Sequence, residues 1–574
     1  ISLLDPFGAW VYWDRIPATA ISTVEIVRGG ASNLYGSDAM GGVVQFLIRE
    51  PEAPALSLET SYGNENTPDL SLWTGSRAGP WDYSAATGLS RTDGFILVPD
   101  SQRGSIDTKA NVENATVYAR LGYRFGASGK IFLRGNFFNE FRNNGTPFQT
   151  NDTHLGEGAG GLDRQFGGND SLSVRMYGDI ETYHQTYSAV AADRNSETPT
   201  STQHVPEQVV GGGAQWTHLL GKSQTLVGGM DLSEVIGSSV DTLFAGPNQG
   251  RIGAGRQRML GWFGEDIFHR SNWTVILAVR LDDWSNFAGK LVLIPVSGAP
   301  VVTGYPDRSD LALSPRLSVL RALNQHVSLT GSFDRAFRAP TLNELYRIFR
   351  VGNVTTLNNP ALNAERLTGA EAGMNITGWN KRLDLRGTFF WSDIVDPVEN
   401  VTISQTQAMK ENLGRTRSRG VELDGVVKAT RDIQFTASYA YIAATVVSYP
   451  VSPGGVDLTG LDVPQVPRNV FTWEARYWRP SSLFLSVQGR FNGRQFNDDQ
   501  NQYPLNAFYT MNLEAGRDIT RNVEVFTALE NLTNQRYQVA STPSLVPGQA
   551  PILNLGSPIL FRAGLRLNFP AGKR

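Results

Sequence analysis

Six histidines, His154, His184, His204, His218, His269 and His326, are scattered along the chain with no HExxH and no pair at i, i+4 spacing. That spacing is what sets two imidazoles on one helical face around a metal. Serine and aspartate are plentiful, yet no GxSxG elbow accompanies them, so a hydrolase stays a minor reading. Asp152, Asp163 and Asp170 could help to bind calcium in what reads as a long loop, but their spacing is not that of an EF-hand. Solvation is the safer assignment, and no catalytic residue, metal ligand or cofactor is assigned. "GGASNLYGSDAMGG" lacks a Walker lysine and a GxGxxG opening a helix, which argues against a phosphate cradle. The segment "DPFGAWVYWDRIP" is the best candidate for ligand contact. Phe7, Trp10, Tyr12 and Trp13 crowd four rings into a short span, and aromatic faces suit planar or sugar-like ligands. Packing competes evenly with that role: two or three rings are expected to pack and the others to be exposed.

The elements that must position these residues are strands. With 51 basic and 54 acidic side chains and no basic tract, there is no field that would hold nucleic acid. Cysteine is absent. No stretch approaches the roughly 18 apolar residues of a membrane-spanning helix, so any crossing must use strands. "KIFLRGNFF" sets Ile131, Leu133, Gly135 and Phe137 against Arg134 and Asn136, the period of two expected when opposite faces meet different media. "NVFTWEARYW", "LFLSVQGRF" and "ILFRAGLRLNF" repeat it. A soluble sandwich also alternates, so the connections have to decide. Short turns such as "GASGK", "GWNKR" and "DITRN" contrast with long polar segments at 140–170, 191–208 and 237–257, which are expected to be loops, with the glycine-rich 156–168 among them. Short turns on one rim and long loops on the other predict an all-β membrane protein, an antiparallel barrel. Paired aromatics such as Trp262 and Phe263, or Phe390 and Trp391, fit interfacial girdles. About 22 alternating segments make a lumen wide enough to need a plug.

One stretch differs from the strands. "VEIVRGGASNLYGSDAMGGVVQFLIR" reads as a strand, a Gly-Gly break, a short polar turn or helix over 31–35, a second break and another apolar strand. Gly29, Gly30, Gly41 and Gly42 are expected to let the chain reverse. The stretch resembles the end of the plug domain of TonB-dependent outer-membrane receptors. "RAFRAPTLNELY", "NPALNAERLTGAEAG", "RSRGVELDG" and "ALENLTNQRY" fall where that family would have them.

The resemblance implies a 22-stranded barrel enclosing a plug, with the C-terminal part of the plug over residues 1–52 and the barrel over 53–574. It implies energised import of a large scarce nutrient, a siderophore, cobalamin or similar, across the bacterial outer membrane by a lipid-embedded monomer. The partner would be the TonB-ExbB-ExbD complex, reached through a segment absent from this chain; the signal sequence, TonB box and first half of the plug are likewise expected to lie outside it. The alternative is a passive porin or surface-adhesive barrel. "DPFGAWVYWDRIP" corresponds to the family's apical plug loop. Family barrels commonly finish on an aromatic residue, whereas Phe569 is followed by "PAGKR". The resemblance further implies a lock between plug and wall in which Arg28 meets Glu371 and Glu422, because breaking a buried ion pair costs about 3–5 kcal/mol.

Overall fold

Leu133 and Phe137 point outward while Asn136, between them in sequence, is buried inside, and this alternation closes the chain on itself in the computed structural model. The structure describes the chain except residues 1, 9, 352, 452–455, 481, 544–549 and 570–574. The "PAGKR" tail therefore lies outside the described residues. Twenty-two antiparallel strands form the barrel, from Ala55–Gly63 to Leu560–Phe569. The first and last pair in register, Leu56 opposite Phe569, so no edge is left open. A short strand, Val301–Gly304, adds only to the flank of Trp273–Pro295.

One rim carries tight turns, such as 126–128, 221–223 and 271–272, and the other carries long connections at 339–364, 396–414, 449–468 and 531–559. Three segments expected to be loops are mostly strand. Thr150–Phe166 takes up much of 140–170 and most of the glycine-rich run, Glu197–Leu220 most of 191–208, and Gln224–Leu243 with Asn248–Arg270 most of 237–257. Only 144–149, 191–196 and 244–247 connect them on that rim. The misreading has a physical cause. A membrane needs only about 9–11 residues of tilted strand, and these strands run to 24 residues. Beyond the lipid both faces meet water, so along 197–208 and 237–257 the apolar alternation fades while the main-chain ladder continues; along the glycine-rich run it is lost because Gly156, Gly158 and Gly160, opposite Phe137, Gly135 and Leu133, carry no side chain.

Inside the lumen, Ile21–Arg28 and Gly42–Ile48 form an antiparallel hairpin around the helical turn Ser32–Tyr35, the unit expected for this stretch. Of the four glycines flanking it, Gly29 (φ 76°) and Gly42 (φ 139°) take the backbone conformation that other residues avoid.

Candidate ligand vestibule and plug contacts

The segment before this hairpin forms a tight turn at the plug's apex. Leu4 bridges Val11, and the Asp5 amide donates to the Trp10 carbonyl at 2.7 Å. Phe7 is fully buried from this turn, against Leu342, Leu345, Leu362 and Val205. Its ring occupies the place where a side chain on Gly237 would begin, 2.5 Å from a would-be Cβ.

A long loop covers the same apex. Its helix Leu342–Tyr346 starts with a reciprocal cap, in which Thr341 Oγ1 accepts from the Glu344 amide and the Glu344 carboxylate accepts from the Thr341 amide. The Asn343 amide donates to Phe7 O at 3.0 Å, joining loop to plug. Arg338 holds the helix to the wall by pairing with Glu344 at 3.0 Å and with Glu365. Burial pushes the Glu344 carboxyl up, but the Arg338 guanidinium outweighs it and holds the group below the usual range. Tyr346 lies flat on the wall, where a Cβ at Gly255 would come within 2.3 Å of its ring.

The four rings divide. Phe7 and Tyr12 pack; the Tyr12 hydroxyl lies 3.0 Å from Thr153 Oγ1, and its ring sits against Phe138 and Leu155. Trp10 is half-buried, its ring 5.3 Å from Tyr183, and it lines a cavity of about 580 Å³ between apical turn and wall, which the edge of Tyr12 also reaches. Trp13 is 63% exposed with its edge toward Phe46 of the hairpin, and it does not line that cavity. Among the described residues, the charged groups lining the cavity are Arg142, Arg194 and Arg350 against Glu140. Arg142 pairs with Glu140, and Arg194 with Asp107. Arg347 sits behind the cavity, donating to Gln203 and Tyr187 with its guanidinium 5.8 Å from the Trp10 ring centre.

Arg28 reaches one of its two expected partners. Its Nη1 lies 2.8 Å from Glu422 and 3.1 Å from Asp424, whereas Glu371 makes no ion pair with it and stands beside Gly29 instead. The Arg28 side chain is 49% exposed, so the cost expected for an enclosed arginine does not apply. The buried tie is elsewhere. Arg15, at 2% exposure, pairs with Glu157, at 5%, whereas the contact of Arg120 with Glu50 at 3.1 Å is half open to water on the Glu50 side. Only the position of Arg15 among aromatic residues could have marked it in the sequence.

Three of the six histidines converge through strand register. His184 and His204 stack with ring centres 4.5 Å apart, and Asp152 lies 3.0 Å from His184 and 3.4 Å from His154. Asp163 pairs with Arg175 and Asp170 with His218, so the three aspartates, all on strands, share no site.

A closed barrel of 22 strands around a plug, with a vestibule above it, defines a class of outer-membrane receptor. A model of the family described as "TonB dependent receptor-like, beta-barrel" matches residues 59–532, and one described as "TonB-dependent Receptor Plug Domain" matches residues 3–43. The chain belongs to the TonB-dependent receptor family. It is thus an outer-membrane protein that carries out active nutrient transport. It is 22% identical over 548 residues to a vitamin B12 transporter, BtuB, of Photobacterium profundum, covering 92% of this chain and 78% of that one. Among solved structures it resembles the ferric-catecholate import receptor Fiu of Escherichia coli K12 (TM-score 0.77, 14% identity, 96% of this chain and 86% of that one). The ferric yersiniabactin uptake receptor FyuA of Yersinia pestis is similar too (TM-score 0.77, 14% identity, 96% and 85%).

Proposed function

We propose that this receptor imports a bulky anionic metal chelate of the siderophore kind, bound in the vestibule beside Trp10. The observation that carries the reading is the composition of the cavity: three guanidinium groups against one carboxylate, next to the Trp10 and Tyr183 rings. Guanidinium groups suit anionic oxygen, and the rings suit planar chelating groups. Phe7 and Tyr12 support the site by fixing the turn. Arg28 with Glu422 and Asp424, and Glu371 beside Gly29, belong to the seat of the plug in this reading, with plug to residue 52 and barrel from 53. Energy comes from the TonB-ExbB-ExbD complex, the receptor acts as a monomer, and no catalytic step is involved. Cobalamin is the second reading, favoured by the similarity to a vitamin B12 transporter.

The test is tryptophan-fluorescence titration of the purified receptor with a ferric catecholate, a ferric hydroxamate and cobalamin. Binding of a ferric siderophore, weakened by Arg142→Ala and Trp10→Ala, is expected. Binding of cobalamin alone would replace this reading with the second.

A further inference from the structure

Beneath the apical turn, Glu181 of the strand Asp170–Val190 and Glu207 of the strand Glu197–Leu220 stand directly opposite each other in register. Both point inward, 0% and 2% exposed. Like charges in directly opposed positions destabilise a strand pair, and removal from water deepens the cost. The plug brings a third carboxylate to them. Asp5 is equally buried, and one oxygen from each of the three groups lies within 4.8 Å of the others.

Their surroundings supply little compensation. Among the described residues, no donor makes a hydrogen bond of good geometry to either carboxylate oxygen of Glu181 or of Glu207. The Tyr12 hydroxyl, 3.0 Å from Thr153 Oγ1, approaches Glu181 and is the one neutral donor at hand for it among the described residues. Asp5 accepts from the Gly8 amide through one oxygen, leaving the other for the cluster. The two nearby cations are committed elsewhere: Arg15 to Glu157, and Arg347 to Gln203 and Tyr187. Asp179, two residues before Glu181, adds a further buried acid. Burial pushes the Asp5 carboxyl above its ordinary range.

We infer that Asp5, Glu181 and Glu207 form a binding site for a hard divalent cation of the calcium class, which ties the apical turn of the plug to the barrel wall. All the donors are oxygens, and among the described residues no thiolate or imidazole joins them, which selects against copper and zinc. Calcium binds oxygen at about 2.3–2.6 Å, so the ligand atoms of one ion lie no farther apart than about 5.2 Å, a limit the three oxygens meet. Two glutamates binding through both oxygens and one free aspartate oxygen would supply five ligands, with water completing the shell. Because Asp5 and Trp10 close the same turn, the ion would hold Trp10 at the vestibule. The inference is independent of the ligand imported.

The full chain, purified in detergent and stripped with EGTA, is titrated with Ca²⁺ by calorimetry and with Tb³⁺ by luminescence sensitised through aromatic residues. The expected result is one saturable site, a Tm raised by calcium, and weaker affinity by about tenfold or more in Glu181→Gln and in Glu207→Gln. Asp5→Asn, which leaves the barrel untouched, gives the same loss if a glutamate variant fails to fold. Two results would overturn the inference: binding that survives unchanged in Glu181→Gln/Glu207→Gln, or no binding with a Tm indifferent to EGTA. The latter would identify the cluster as acids sharing protons.

Discussion

Arg28 Nη1 stands 2.8 Å from Glu422 Oε2 across the gap between plug hairpin and barrel wall, with half of the arginine side chain open to the lumen. Such a pair is worth about 0.2–1 kcal/mol, because water screens it and two long side chains must be ordered to make it. Arg15 and Glu157 are sealed from water, and removing one partner there leaves an uncompensated charge at about 3–5 kcal/mol. Glu157→Gln is therefore expected to lower the temperature of plug release and sensitise cells to a large antibiotic, while Glu422→Gln changes either little. Equal effects would show that exposure does not rank these contacts.

The rings of the apical turn should separate by readout. Phe7→Ala empties a fully buried site and is expected to cost about 3–5 kcal/mol of stability. Trp10→Ala should leave the melting temperature close to that of the parent while weakening ligand binding. Trp13→Ala should change neither, since its ring faces the hairpin and not the cavity. Thermal melts alongside ligand titrations check all three, and a strong binding loss in Trp13→Ala would relocate the site.

Gly255 gives a steric test of the covering loop. A valine there would meet the Tyr346 ring well inside contact distance and push the helix Leu342–Tyr346 off the wall. Faster hydrogen exchange across 339–364 and easier access of a dye to the vestibule are expected, with the barrel intact by circular dichroism. An unchanged exchange rate would mean that the loop does not depend on this seat.

Acid should loosen the same loop. The Glu344 carboxyl is held below its ordinary value of 4.5, so the folded state binds fewer protons there than the unfolded state. Stability from this group is present above about 4.5 and is lost as pH falls through the folded value. Protection of 339–364, corrected for the intrinsic slowing of exchange in acid, should fall in the parent as pH drops below about 4.5, whereas Glu344→Gln, already loosened at pH 7, should show a smaller change. Parallel pH profiles would assign the response to other groups.

The barrel was legible because lipid enforces alternation: Leu133 and Phe137 cannot be polar where they stand. Where the medium stops differing across the sheet, as along residues 197–208, that signal vanishes and a strand reads as a loop. The hairpin was legible through Gly29 and Gly42, whose backbone needs glycine. Sites assembled by register were not. Glu181 meets Glu207, and His184 meets His204, only because a strand doubles back at one particular offset, and no local pattern encodes that offset. Arg28 was singled out for its place beside two glycines, but exposure, which governs its worth, depends on how closely the wall approaches.

The seam where the barrel closes binds three distant parts of the chain. Arg49, at the foot of the plug hairpin, donates to the Ile21 carbonyl at 3.2 Å and to Ser57 Oγ at 2.8 Å; Ser57 in turn donates to Asn568 Oδ1 at 2.8 Å. Strands that meet from opposite ends of a chain this long can pair only after everything between them has been made. Ordering so long a loop also makes such contacts slow to form. The hairpin's foothold on the first strand can be set early, but Asn568 arrives last. Assembly of this protein is thus timed like a clasp on a belt: threading the plug and fastening the wall converge on one step, and a chain stalled before it would present two unpaired strand edges to every neighbour in the periplasm.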